Sequence, residues 1–218
     1  MKSYNVAHAS SVTQNTQDAC STFFTPNAPI DQSRRNLPHW YQDGASYFVT
    51  FRLADSIPQE KLKLWTVEHD LWLKHNPKPH TSNQQQEYSE RFPDRLQEWL
   101  DAGMGSCLLG RPDYGRIIAE ALRFFDGQRY NLGEWVVMPN HAHVIFQSLP
   151  PCSPEKILHS WKSYTSNEIN KRENRSGRLW QKESYDHIIR SPAQLSHYER
   201  YIRNNPIKAG LRVIQIPK

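Results

Sequence analysis

The sequence predicts an α+β domain: an antiparallel sheet with helices packed on it, a helical insertion and a polar N-terminal tail. Three observations predict it. Residues 46–53, SYFVTFRL, and 130–138, YNLGEWVVM, are aromatic and β-branched runs of strand length. Residues 142–147 form a third such run. Between and beyond these runs, apolar residues recur at helical spacing, and several of those stretches open on proline or a capping serine.

Residues 1–35 are rich in Ser, Thr, Gln and Asn and show little periodicity, so they are expected to form a mostly disordered tail. Residues 36–218 are expected to form a single domain. Asn36-Leu-Pro-His-Trp40 leads into the first strand at 46–53. Ser56-Ile-Pro58 signals a helix start, and Leu62, Trp65, His69 and Leu73 share a face of that helix. Pro77 and Pro79 break it.

The stretch 82–100 reads as one further helix, with Phe92, Leu96, Trp99 and Leu100 as its buried side. Residues 101–106 are a turn. Pro112 and Asp113 open a helix to about residue 125, with Ile117, Ile118, Ala121, Leu122 and Phe125 as its apolar stripe. The region 57–125 is therefore expected to be largely helical, and no chemistry is assigned to it. Strand 130–138 follows, Pro139-Asn140 interrupts the sheet, and strand 142–147 resumes it.

Ser153 is placed to cap a helix whose first residue is Pro154 and which runs to about 170. Residues 171–177 are a basic loop. Segments 179–181 and 184–190 read as a short strand pair or extended chain. Ser191-Pro192 opens a last helix to about 205, where Pro206 ends or kinks it. Residues 211–216 are expected as a closing strand.

Composition narrows the function classes. No run of about 18 apolar residues exists, which excludes a spanning helix. The N-terminus lacks the pattern of a secretory signal. Cys20, Cys107 and Cys152 are scattered and odd in number, as expected of reduced thiols in a cytoplasmic protein. Net charge is +5, and residues 151–218 carry 13 Lys and Arg against 6 Asp and Glu, which leaves −2 for the first 150 residues. A basic C-terminal third suits a polyanion-binding face.

The candidate chemistry centres on Pro139-Asn-His-Ala-His143. Side chains in a strand alternate faces, so His141 and His143 lie side by side, a two-imidazole grip for one divalent metal. In the last helix Tyr201 and Asn205 are four apart and share a face. Laid across the sheet, that helix presents a phenol and an amide oxygen to the pair. Tyr164, with Glu168 one turn on, and Tyr198 are alternative phenols. His187 reads as a strand or surface residue. Arg175, Arg178, Lys182 and Arg190 are candidate phosphate contacts, and Trp180 among them reads as core.

Met138-Pro-Asn-His-Ala-His143, Gly177-Arg-Leu-Trp-Gln-Lys-Glu-Ser-Tyr-Asp-His-Ile-Ile-Arg190 and Tyr201-Ile-Arg-Asn-Asn-Pro-Ile-Lys-Ala-Gly210, in this order, resemble the single-tyrosine HUH transposases, and among them the REP-associated tyrosine transposases. The resemblance covers roughly 38–212. It implies a ferredoxin-like sheet carrying the histidines, and cleavage and joining of single-stranded DNA through a 5′-phosphotyrosine. It implies Tyr201 as nucleophile and His141, His143 and Asn205 as ligands for Mg²⁺ or Mn²⁺. The implied partner is single-stranded or hairpin DNA of REP-like repeats, bound by a monomer or homodimer with no membrane involved. Ala142 is smaller than the residue usual between the histidines. Two other readings stay open: a domesticated DNA hairpin-binding protein without turnover, and a phosphodiesterase that uses water.

Overall fold

The computed structural model describes residues 5–9, 23–25, 31–34, 38–209 and 212–215. In chain order the elements are β1 (Asn5–Ala9), β2 (Asp31–Arg34), β3 (Pro38–Tyr41), β4 (Ser46–Arg52), α1 (Gln59–His75), α2 (Ser82–Ser89), α3 (Arg95–Asp101) and α4 (Pro112–Arg123). They continue with β5 (Tyr130–Val137), β6 (His141–Ser148), α5 (Pro154–Arg172), β7 (Tyr185–Ile188), α6 (Pro192–Lys208) and β8 (Arg212–Gln215).

The sheet runs β7-β4-β6-β5-β1-β8. Its first four strands are antiparallel neighbours and are linked as β4-α4-β5-β6-α5-β7. That double β-α-β unit in this spatial order is the ferredoxin-like arrangement. Alternation along β4 and β6 divides the side chains between two faces. Tyr47, Val49, Phe51, Ala142, Val144 and Phe146 join Ile118, Leu122, Ile157 and Trp161 in the main core beneath α4 and α5. Phe48 and Ile145 point the other way and meet Ile202, Tyr198 and Tyr201 of α6. The sheet therefore sits between two helical layers, and the histidines belong to the layer under α6.

One glycine matters to this geometry. The β5–β6 register shifts between Leu132 and Trp135, and a Cβ on Gly133 would stand 3.1 Å from Ile145. A side chain there would press on Ile145, so the close approach across the bulge favours glycine. Beyond it Trp135 turns into the main core and Val136 pairs with His143.

Four local expectations change. The helix expected over 82–100 is divided into α2, a π-helical turn over Glu90–Asp94 and α3. Pro93 lies in that turn and has no N–H to give, so the wider turn absorbs the missing bond. Trp65 of α1 packs on the turn, its indole N–H donating to the Phe92 carbonyl at 3.3 Å. Segments 179–181 and 185–188 do not pair with each other: Trp180 bridges to Leu53, and β7 pairs with β4. Trp180 is core, as expected, and its indole donates to Thr165 Oγ1 at 2.9 Å. Finally, α6 continues through Pro206 to Lys208.

The fourth change concerns the expected tail. Asn5–Ala9 pairs with β5 and β8, and Asp31–Arg34 pairs with β3. Strand pairing uses backbone groups that every residue has, so composition alone did not announce these strands. Residues 23–25 are also described, with Phe24 N–H donating to the Ile189 carbonyl at 3.0 Å. The rest of the expected tail, including Cys20, lies outside the described residues. Among the described residues no helix is long and apolar enough to cross a membrane.

Candidate active site

His141 and His143 are fully buried, side by side on the α6 face of β6, with their Nε2 atoms 3.0 Å apart. Each Nδ1 is held from behind. His143 Nδ1 lies 2.7 Å from Thr50 Oγ1 on β4, the residue opposite it in register. His141 Nδ1 lies 2.7 Å from Asn140 Oδ1. The Asn140 amide nitrogen donates to the Leu100 and Met104 carbonyls at 3.1 and 3.0 Å, which leaves Oδ1 as the acceptor. His141 therefore carries its proton on Nδ1 and turns the Nε2 lone pair toward His143. Burial pulls the pKa of His141 down to about 3. Burial, and then the His141 charge, hold His143 well below its ordinary value. Both imidazoles are neutral near pH 7, as metal ligands must be.

From α6, the Tyr201 hydroxyl stands 3.5 Å from His143 Nε2, and its ring meets the imidazole edge-on at 5.2 Å. Asn205, one turn on, is buried, and neither amide atom has a hydrogen-bond partner. It faces the Asp101 carboxylate and the Tyr201 hydroxyl without bonding geometry to either. Burial first, then the negative charge of Asp101, raise the pKa of the Tyr201 phenol.

The insertion, to which the sequence assigned no chemistry, reaches the site. At the end of α3, Asp101 Oδ1 lies 3.9 Å from His141 Nε2. Gln97 Nε2 lies 3.4 Å from His143 Nε2 and donates to Asp101 Oδ1 at 2.8 Å. Burial raises the Asp101 pKa, chiefly against the Gln97 hydrogen bond and the Lys208 charge. Sequence reading missed Gln97, Asp101 and Thr50. Their signal, a polar i,i+4 pair on an apolar helix and a threonine on a strand, is too common to single out.

The other phenols stand elsewhere. Tyr164 is exposed on α5, the helix beneath the opposite face of the sheet. Tyr198 stacks on Phe48 at 4.2 Å, and burial raises its pKa. His187 Nε2 accepts from the Gln194 amide nitrogen at 2.9 Å. Of the candidate phosphate contacts, Arg175 and Arg178 line a cavity of about 400 Å³ with Leu53, Asp55 and Ser106. Arg190 lies 5.6 Å over the Phe24 ring. The Lys182 carbonyl accepts from Lys162. None of these four cations touches the histidines. Arg52, opposite His141 in register, is a buried cation that the sequence reading passed over. It donates to Ser56 Oγ at 3.1 Å, and burial pulls its pKa down to about 10.

The donors suit a divalent ion. Two ligands about 2.1 Å from one ion and about 90° apart are about 3.0 Å from each other, which is the Nε2–Nε2 separation. The buried Asn205 amide, which faces Asp101 and Tyr201, leaves its oxygen unpartnered. Among the described residues, no group of three His, Cys, Asp or Glu side chains is placed to hold a metal ion.

Comparison with known proteins follows the same residues. The family described as "Transposase IS200 like" matches residues 112–205, a segment that contains both histidines, Tyr201 and Asn205. A solved structure of the REP-associated tyrosine transposase bound to a REP hairpin is similar at 18% identity and TM-score 0.49, covering 83% of this chain and 74% of that one. A crystal structure of a protein assigned as a transposase in Deinococcus radiodurans R1 is similar at 12% identity and TM-score 0.33, covering 79% of this chain and 96% of that one. No curated protein matches.

Proposed function

We propose, on the premise that residues 112–205 are an IS200-like transposase segment, that the protein cuts and rejoins single-stranded DNA through Tyr201. The observation that carries this reading is the Tyr201 hydroxyl 3.5 Å from His143 Nε2, beside a buried amide with no partner. The phenol oxygen attacks phosphorus as the bond to the 3′ oxygen breaks. One strand end leaves as a 3′-hydroxyl, and the other stays as a 5′-phosphotyrosine. Attack by a 3′-hydroxyl reverses the exchange and reseals the strand without ATP. His141, His143 and Asn205 would hold a divalent ion, whose chemistry is to polarise the scissile phosphate and offset its developing charge.

The protein's own groups account for the rest. A buried phenol gives up its proton reluctantly, so free Tyr201 is a quiet hydroxyl and attack requires a substrate in place. Thr50 and Asn140 fix the two rings from behind, so that both Nε2 atoms face one point. The substrate assigned here is a hairpin-forming repeat, and Arg175, Arg178, Lys182 and Arg190 are its phosphate contacts away from the cut. The solved REP-hairpin complex is the precedent for that substrate class.

The test is a hairpin oligonucleotide labelled at its 3′ end and incubated with wild type or Tyr201→Phe, with Mg²⁺, Mn²⁺ or EDTA. On a denaturing gel, label should migrate with the wild-type protein when metal is present and not with the variant. Free cleavage product from Tyr201→Phe would indicate water as nucleophile. Salt-sensitive binding without cleavage under any metal would leave a binding protein only.

A further inference from the structure

We propose that Asp101, carried by the helical insertion, is a carboxylate ligand to the divalent ion of this site. The inference rests on the metal reading given under the proposed function. Two donors about 2.1 Å from the same ion can be at most about 4.2 Å apart. Asp101 Oδ1 is 3.9 Å from His141 Nε2, inside that limit. The carboxylate is also aimed. Gln97, one turn earlier on α3, donates to Asp101 Oδ1 and reaches His143 Nε2 with the same amide nitrogen. Asn205 faces the same carboxylate from α6, buried and with both amide atoms unpartnered.

Within α3 the aspartate accepts from Gln97. It is the last residue of α3, where the helix dipole is negative and an acid is disfavoured. A cation between Asp101 and the histidines offsets that dipole. Two imidazole nitrogens, one carboxylate oxygen and one amide oxygen leave two positions of an octahedral ion for phosphate and water. The carboxylate also supplies the hard anionic donor that Mg²⁺ and Mn²⁺ prefer and that two neutral imidazoles lack.

The arrangement assigns a role to the insertion. The histidines come from the sheet and the phenol from α6, while α3 closes the remaining side of the site. The metal centre is then assembled only when the insertion is packed on the sheet.

The test uses the full-length chain stripped with EDTA and titrated with Mn²⁺ by calorimetry and with Co²⁺ by visible absorption, which reports the ligand field. Wild type, Asp101→Asn, Asp101→Ala, His143→Ala and Glu98→Gln are compared, with circular dichroism confirming that each is folded. Asp101→Asn and Asp101→Ala should weaken Mn²⁺ binding by about tenfold or more and shift the Co²⁺ spectrum. Glu98→Gln, which removes an exposed acid of the same helix, should change neither. Wild-type affinity and an unshifted spectrum in both Asp101 variants, with binding lost in His143→Ala, would overturn the inference and leave the proposed function standing. An equal loss in Glu98→Gln would reduce the effect to bulk charge and overturn it too. Absence of Mn²⁺ binding in wild type would overturn the metal reading together with it.

Discussion

The two faces of the sheet are built from the same strands and differ in almost everything else. The face under α4 and α5 is closed by Tyr47, Phe51, Phe146, Trp161 and Trp180, an apolar core whose few polar atoms are paired. The face under α6 has a small apolar cluster around Phe48 and Ile202. It buries two histidines, an arginine and an asparagine that is left without partners. A buried amide without a hydrogen bond costs about 1–3 kcal/mol. One face therefore stabilises the fold, and the other spends part of that stability holding polar atoms in place for a ligand.

This contrast can be broken or sharpened by four measurements, taken from the largest expected effect to the smallest. Tyr201→Phe should lower covalent adduct formation on the order of 10⁴-fold or more while leaving the urea midpoint nearly unchanged, since the hydroxyl makes only a 3.5 Å contact with His143. A large loss of stability instead would make Tyr201 a core residue. On the opposite face, Trp161→Ala should lower stability by about 3–5 kcal/mol in urea denaturation, because Trp161 is buried against Tyr130, Phe146 and Phe51. Its Mn²⁺ affinity, measured under conditions where it is folded, should stay near wild type.

Thr50→Val removes the hydroxyl behind His143 Nδ1 and keeps the side chain's shape. It should weaken Mn²⁺ binding by about 10- to 100-fold with little change in fold. Unchanged affinity would mean that the ring needs no support from behind. The smallest effect is on pH dependence. Burial lowers the pKa of both histidines in the folded chain, so the unfolded chain binds more protons below about pH 6.5. Stability is then complete above that pH and is lost as pH falls toward the folded values. In EDTA, the loss between pH 6.5 and 5.5 should be about 1 kcal/mol per histidine, and it should be smaller in His141→Asn. A flat profile would mean that the pair is already protonated or solvated.

Much of this fold follows from local pattern. β4, β5 and β6 carry aromatic and β-branched runs, and α4 and α5 carry their proline and capping signals, so they fall close to where the sequence puts them. Strands β1 and β2 did not show, because strand pairing uses backbone groups that every residue has. The break at Pro93 was legible in principle, since a proline inside an apolar helical pattern disrupts the i→i−4 bond.

For the site, the period of two in β6 was enough to put His141 and His143 together, because strand geometry makes i and i+2 neighbours in any fold. The helical period likewise put Tyr201 and Asn205 on one face. Neither period could say that α6 lies over the histidine face while α5 lies under the other. Only packing made that choice, and it is what separates Tyr201 from Tyr164. Asp101 and Gln97 show the same limit more strongly. They lie some forty residues before the histidines in sequence, on a helix whose direction is set by a distorted turn at Pro93 and by Asn140 holding the Leu100 carbonyl. Local periodicity determined which residues travel together. The docking of non-local surfaces, where burial and satisfied hydrogen bonds decide the orientation, determined which of them meet.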